Sequence, residues 1–141
     1  MLQVQTARMG FRGDDWLDIT LQGNMRRSEE LEPGGHRGIG LFFAPSPEIL
    51  YPYLSKRKHG KETDQLWLAY VADYTREMRA SYRKTRAAWD VLLGWSRVVL
   101  LCMCTDATRC HRTVLGQQIL PKLGATYLGE IENPKEGGKP R

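Results

Sequence analysis

The order of apolar and polar residues divides the chain into strand-like and helix-like stretches. Residues 3–6 and 16–20 are short apolar clusters punctuated by Gly10, Gly13 and Gly23, and each predicts a strand. Residues 24–40 are polar, contain Pro33, Gly34, Gly35 and Gly38, and follow neither the helical nor the strand period, so a loop with the makings of a lid is expected. Residues 40–44 give a brief apolar run of the buried-strand kind. Ser46-Pro47-Glu48 then combines a cap, a first-turn proline and an acidic residue, which predicts a short helix bent or limited by Pro52. Beyond a basic connector at 56–61, the clearest periodicity runs over 63–93. Trp67, Tyr70, Val71, Tyr74, Met78, Tyr82, Thr85, Trp89 and Leu92 recur at three- and four-residue steps, predicting one long central helix with this stripe in the core.

Residues 98–103 are the most strand-like in the chain and carry apolar side chains at every position, so a central strand covered on both faces is expected. Helical spacing returns over 110–123 through Val114, Leu115, Ile119 and Leu123, with Pro121 as a kink and Gly124 as a stop; 126–131 predicts a last strand. The class implied is α/β, a mostly parallel sheet of about five strands flanked by helices. Residues 1–131 read as a single domain and 132–141 as a flexible tail too poor in apolar residues to order itself.

Composition narrows the function classes. A chain of 141 residues suits one domain that buries about two-thirds of its unfolded surface. The longest apolar run, 98–104, is far shorter than a membrane span requires, and the first residues lack the layout of an export signal, so a cytoplasmic protein without a membrane partner is expected. The three cysteines are odd in number and all lie between 102 and 110, which suggests a site rather than a disulfide framework. A net charge of +5 attracts anions: nucleic acid, nucleotide or acidic protein. Arg76, Arg79, Arg83, Lys84 and Arg86 share one helix face, which reads either as a solvated face or, together with 56–61, as a track for phosphates.

The densest chemistry lies where the central strand hands over to a helix, at Cys104-Thr105-Asp106-Ala107-Thr108-Arg109-Cys110-His111-Arg112. Open α/β sheets place ligands at such carboxyl ends, and amide groups at a helix start favour anions. Arg109 and Arg112 could clamp phosphate oxygens beside the Thr105 hydroxyl, Cys104 or Cys110 could act as nucleophile, and His111 as acid or base. The spacing departs from the phosphatase pattern of a cysteine and an arginine with five residues between, because Cys104 and Arg109 have four. Cys102, Cys104, Cys110 and His111 offer zinc donors, yet Cys102 on a buried strand belongs to the core and the paired zinc spacing is missing, so neither metal nor cofactor is expected. The plain alternative is structural: Cys102 packs, the arginines pair with carboxylates and His111 caps a backbone group. A second polar cluster holds Arg8 and Arg12 after the first strand, and Asp18 ends the next. If these strands run parallel to 98–103, all converge on one cleft, with Asp18 orienting an arginine or simply pairing with Arg8.

The Cys110-His111-Arg112 triplet after a hydrophobic strand resembles domain-of-unknown-function family 488, a family of bacterial and phage proteins marked by a Cys-His-Arg signature. The similarity runs through Thr6-Ala7-Arg8, Leu17-Asp18-Ile19-Thr20, Phe43-Ala44-Pro45-Ser46, Tyr74 to Tyr82, Trp89 and Gly129. It implies a Rossmann-like fold with a polar pocket at the triplet, and no settled activity. The expected function is a pocket for a nucleotide or other phosphorylated or ribosylated small molecule, part of which is cleaved or transferred. Arg8, Arg12, Asp18, Thr105, Arg109 and Arg112 would bind the ligand, with Cys104, Cys110 and His111 at the reacting position. The rivals are a basic nucleic-acid module and a non-catalytic binder that sequesters a signalling nucleotide. Oligomeric state is not legible.

Overall fold

The computed structural model describes residues 1–30 and 35–132. Residues 31–34 of the expected loop and 133–141 of the expected tail lie outside the described residues. Strands β1 (Gln3–Arg8), β2 (Trp16–Asp18), β3 (Asn24–Arg26), β4 (His36–Arg37), β5 (Arg97–Cys102) and β6 (Thr126–Ile131) form one sheet in the order β4-β3-β2-β5-β1-β6. β5 is central and parallel to β1 and β2, and β6 is parallel to β1. β3 pairs antiparallel with β2, and β4 with β3. The α/β class holds, and β2, β5, β1 and β6 run parallel as expected, but β3 and β4 make the sheet mixed rather than purely parallel in the Rossmann manner. The physical reason is the connector between β2 and β3: residues 19–23 are too few for a crossover, so the chain can only turn back on itself.

Three local expectations are corrected by the backbone. Residues expected as a strand at 40–44 form a 3-10 turn, Ile39–Phe43, that presses Phe43 into the core. The helix after Ser46, α1 (Pro47–Lys58), passes through Pro52 and takes in half of the supposed connector. The long central helix is two: α2 (Asp64–Lys84) and α3 (Arg86–Gly94), broken at Thr85. There the Thr85 hydroxyl donates back to the Ser81 carbonyl at 2.7 Å, a local bond that competes with the helical ladder. The stripe itself is core as expected, with Tyr74, Met78, Trp89 and Leu92 buried.

The last helix, α4, begins at His111–Thr113, widens to π geometry over Val114–Ile119 and tightens to 3-10 over Leu120–Leu123. Pro121, which has no N–H to give, sits at the change of pitch.

The helices cover one face of the sheet. Tyr74, Met78, Trp89, Leu92, Val114 and Leu115 pack with Val98 and Leu100 in the main core. Val99 and Leu101, which alternation turns to the opposite face, meet Ala7 and are sheltered by Met9, Phe11, Trp16 and Ile131. The expected cover on both faces therefore exists, but loop and strand side chains supply the second one. Cys102 follows the parity of Val98 and Leu100, so its sulfur points to the helical side, where α4 begins.

Candidate functional site: a thiol cluster at the end of the central strand

Parallel pairing brings the expected clusters to one edge. Arg8 stands opposite Cys102 and Asp18 opposite Leu101, so the carboxyl ends of β1, β2 and β5 adjoin. Between β5 and α4, Asp106 shapes the turn by accepting bonds from the Thr108 amide at 2.9 Å and the Thr108 hydroxyl at 2.6 Å, and the Thr108 bonds hold its carboxyl below the usual range. A 3-10 turn over Ala107–Arg109 then folds Cys110 inward.

Cys102, Cys110 and His111 are all buried, with their donor atoms within 4.8 Å of one another. His111 Nε2 lies 2.8 Å from the Ile19 carbonyl, which can only accept, so Nε2 carries a proton and Nδ1 faces the sulfurs, 3.8 Å from Cys102 Sγ. Asp18 contributes indirectly. Its Oδ1 accepts the Thr20 amide at 2.8 Å, closing the turn that presents the Ile19 carbonyl. Asp18 thus helps hold the turn that positions His111.

Cys104 differs from the other two thiols in being only partly buried. The neighbouring Cys102 and Cys110 thiols pull its pKa well below the ordinary thiol value, against the opposing effect of burial, with Arg57 and the charge of His111 adding to the drop. The bond to Cys104 is the largest influence holding the Cys102 thiol up, to about 12, and burial leads in raising Cys110. Burial pulls His111 down, but its bond to Cys110 and the negative charge nearby carry it above its usual value. Of the three thiols, Cys104 is thus the one whose surroundings favour loss of its proton, while those of Cys102 and Cys110 favour keeping it.

Arg57, 47 residues upstream of Cys104, was not singled out by the sequence. From the last turn of α1 it places Nη1 3.7 Å from Cys104 Sγ and donates through Nη2 to the Arg109 carbonyl at 2.6 Å. No local pattern could have found it, since only the packing of α1 against α2 aims it there. Arg109 bonds to Asp64 at the start of α2 and lies over the Trp67 ring, while its Nη1 is buried without a hydrogen-bond partner. Cys104, Arg57, Arg109, Cys110 and His111 line one small cleft of about 10 Å³, room for roughly one water.

Arg112, expected to bind an anion, has its guanidinium engaged within the fold. Arg112 is fully buried, donates to both carboxylate oxygens of Glu130 at 3.2 and 2.8 Å, and gives Nη1 to the Cys104 carbonyl at 2.8 Å. It ties the turn to β6. Glu130 was missed because it lies on a strand whose local pattern carries no chemistry. Arg8 is half-buried at the end of β1, whereas Arg12 and Thr105 are exposed, and none of the three lines the cleft. Of the expected site residues, the structure gathers Cys104, Arg109, Cys110 and His111 around one hollow and leaves the others outside it.

Metal donors are closer than the spacing suggested. Cys102 is both a core residue and a neighbour of His111 Nδ1, so Cys102, Cys110 and His111 could hold an ion. An ion there would first have to displace the protons of two buried thiols.

A family model described as the active DUF488-N3 subclade matches residues 42–123, more than half of the chain. The chain belongs to the DUF488 family. The matched segment carries Arg57, Cys104, Arg109 and the Cys110-His111-Arg112 triplet of this DUF488 protein, whereas Arg8, Asp18 and Glu130 fall outside it. No curated protein and no solved structure matches the chain. Among the described residues, no helix is long and apolar enough to cross a membrane.

Proposed function

We propose that this DUF488 protein takes a small phosphorylated or ribosylated molecule at the cleft beside β5 and attacks it with the Cys104 thiolate. The observation that carries the reading is that Cys104, partly buried and lowered in pKa by its neighbours, shares one cleft with Arg109 Nη1, a buried donor lacking a partner. A buried N–H without an acceptor is costly, and an anionic ligand oxygen would supply one. Arg57, which pairs with Glu62 at 3.5 Å, adds a second guanidinium at the same lip.

The cleft as folded is too small for such a ligand, so Arg109 must leave Asp64 to admit it. That carboxylate is 87% exposed, and a surface pair of this kind holds with about 0–1 kcal/mol, a slight barrier. Once the ligand is seated, the Cys104 sulfur forms a bond to phosphorus or to the anomeric carbon while the bond to the leaving oxygen breaks. The leaving oxygen takes a proton from a water at the lip. The hydroxide so formed cleaves the sulfur bond and regenerates the thiolate, so one water is consumed per turnover. His111 stays behind the sulfurs as the group that favours negative charge there.

Titration of the protein with a panel of nucleotides and sugar phosphates, followed by chromatography and intact mass, tests this. Product or a sulfur adduct should form and vanish in Cys104→Ser, and Arg109→Ala should weaken binding by about tenfold or more. Absence of binding across the panel, or turnover indifferent to Cys104→Ser, rules the proposal out. Loss of turnover on chelation would instead assign the chemistry to a metal held by Cys102, Cys110 and His111.

A further inference from the structure

The basic face of α2 is less uniform than its sequence. Arg76 pairs with Asp73 at 2.8 Å, and Arg86 pairs with Asp90 at 3.1 Å while lying over the Tyr82 ring. Arg79 and Arg83, by contrast, have no carboxylate partner among the described residues, and neither has Lys122 on α4. These three cations stand around a hollow of about 210 Å³. Its floor and walls are Met78, Tyr82, Trp89, Ile119 and Leu123, no acidic residue lines it, and it shares no residue with the cleft at Cys104. Met78 and Trp89 belong to the main core, so the base of the hollow is fixed by packing. One wall comes from the irregular part of α4, where π turns of the kind often found at functional positions give way to a 3-10 turn carrying Lys122 and Leu123.

We propose that this hollow binds a small amphipathic organic anion, with a flat apolar body of about two fused rings and one carboxylate or phosphate held by Arg79, Arg83 and Lys122. Apolar walls with a few convergent polar groups are what small-molecule sites have. Size sets the body, since a cavity of about 150 Å³ accepts benzene and this one is roughly a ring larger. Charge sets the head: planar guanidiniums match a carboxylate or phosphate fork, and no negative side chain competes.

The test uses the full chain, 2-naphthoate as probe and the neutral 2-naphthalenemethanol as its match. Calorimetry should show naphthoate binding that weakens as salt rises from about 0.05 to 0.5 M. The methyl resonances of Met78 and Ile119 should shift on binding. Arg79→Glu with Arg83→Glu, both on exposed positions, should cost about tenfold or more in affinity while leaving the melting temperature within a few degrees. Equal binding of the neutral alcohol, silent Met78 and Ile119 methyls, or no heat up to about 5 mM naphthoate would overturn the proposal. So would a single-stranded oligonucleotide that binds through Arg79 and Arg83 without moving the Met78 methyl, because the cations would then serve a polymer.

Discussion

The reactivity of Cys104 should be nearly independent of pH where an ordinary cysteine changes steeply. A thiol of pKa about 8.5 is roughly 0.3% ionised at pH 6 and half ionised at pH 8.5, so its alkylation rises by about 150-fold between them. Cys104, held as thiolate by Cys102, Cys110 and Arg57, should vary by no more than about threefold over that range. The share of Arg57 follows from its position. At 3.7 Å, a full charge pair is worth about 1 kcal/mol in water and about 4.5 kcal/mol at an effective dielectric of about 20. Arg57 is 28% exposed, so the lower part of that interval applies, about 1.4–2.7 kcal/mol, or one to two pKa units. Arg57→Gln should therefore move the inflection upward by about that much while leaving the thiol donors in place. Iodoacetamide labelling from about pH 3 to 9, with peptide mapping to assign the sulfur, reads both quantities. The buried Cys102 and Cys110 should label slowly throughout. A wild-type rate that climbs about a hundredfold between pH 6 and 8.5, or labelling at Cys110 ahead of Cys104, would refute the charge assignment.

Three more outcomes follow from the same contacts. Glu130→Ala leaves the Arg112 guanidinium buried with half its partners gone and should destabilise by about 2–4 kcal/mol in urea unfolding, below the range for fully buried pairs because Glu130 is 29% exposed; Glu130→Gln should recover part of the loss. Gly40→Ala places a Cβ against the Asp18 carbonyl oxygen and 2.9 Å from Gly23 Cα, backbone atoms that cannot rotate away. It should cost about 2–3 kcal/mol and disturb the His111 imidazole nitrogen shifts, since Asp18 shapes the turn that holds Nε2. Stability should also depend on pH through the thiols. Cys104, lower in the folded state, contributes fully above the unfolded thiol pKa of about 8.5 and less as pH falls below it; Cys102, pushed up to about 12, contributes below that pKa and loses its share as pH rises through its own. Thermal melts of Cys104→Ser against wild type should differ on the acid limb, and an unchanged acid limb would contradict the shift at Cys104.

Much of the framework could be read without coordinates because it depends on local periodicity. β1, β5, β6 and the buried stripe of α2 and α3 follow from two-residue and 3.6-residue repeats, which any amphipathic segment must obey to bury one face. The turn from Cys104 to Arg112 was legible for a related reason, since thiols, an imidazole and guanidiniums crowded between a strand and a helix form a chemical pattern in one dimension. The break at Thr85, the 3-10 turn at Ile39–Phe43 and the antiparallel β3 and β4 were not, because a single hydrogen bond or a connector length outweighed weak local preferences. Which charges face the cleft was decided only by tertiary packing. Arg109 and Arg112 are three residues apart and look alike in the sequence, yet one keeps a buried donor unpaired beside Cys104 and the other is neutralised by Glu130 from β6. Arg57 reaches the same sulfur from α1. A side chain's electrostatic role depends on what lies within a few ångströms of it, and for these residues those neighbours come from segments the chain brings together only when folded.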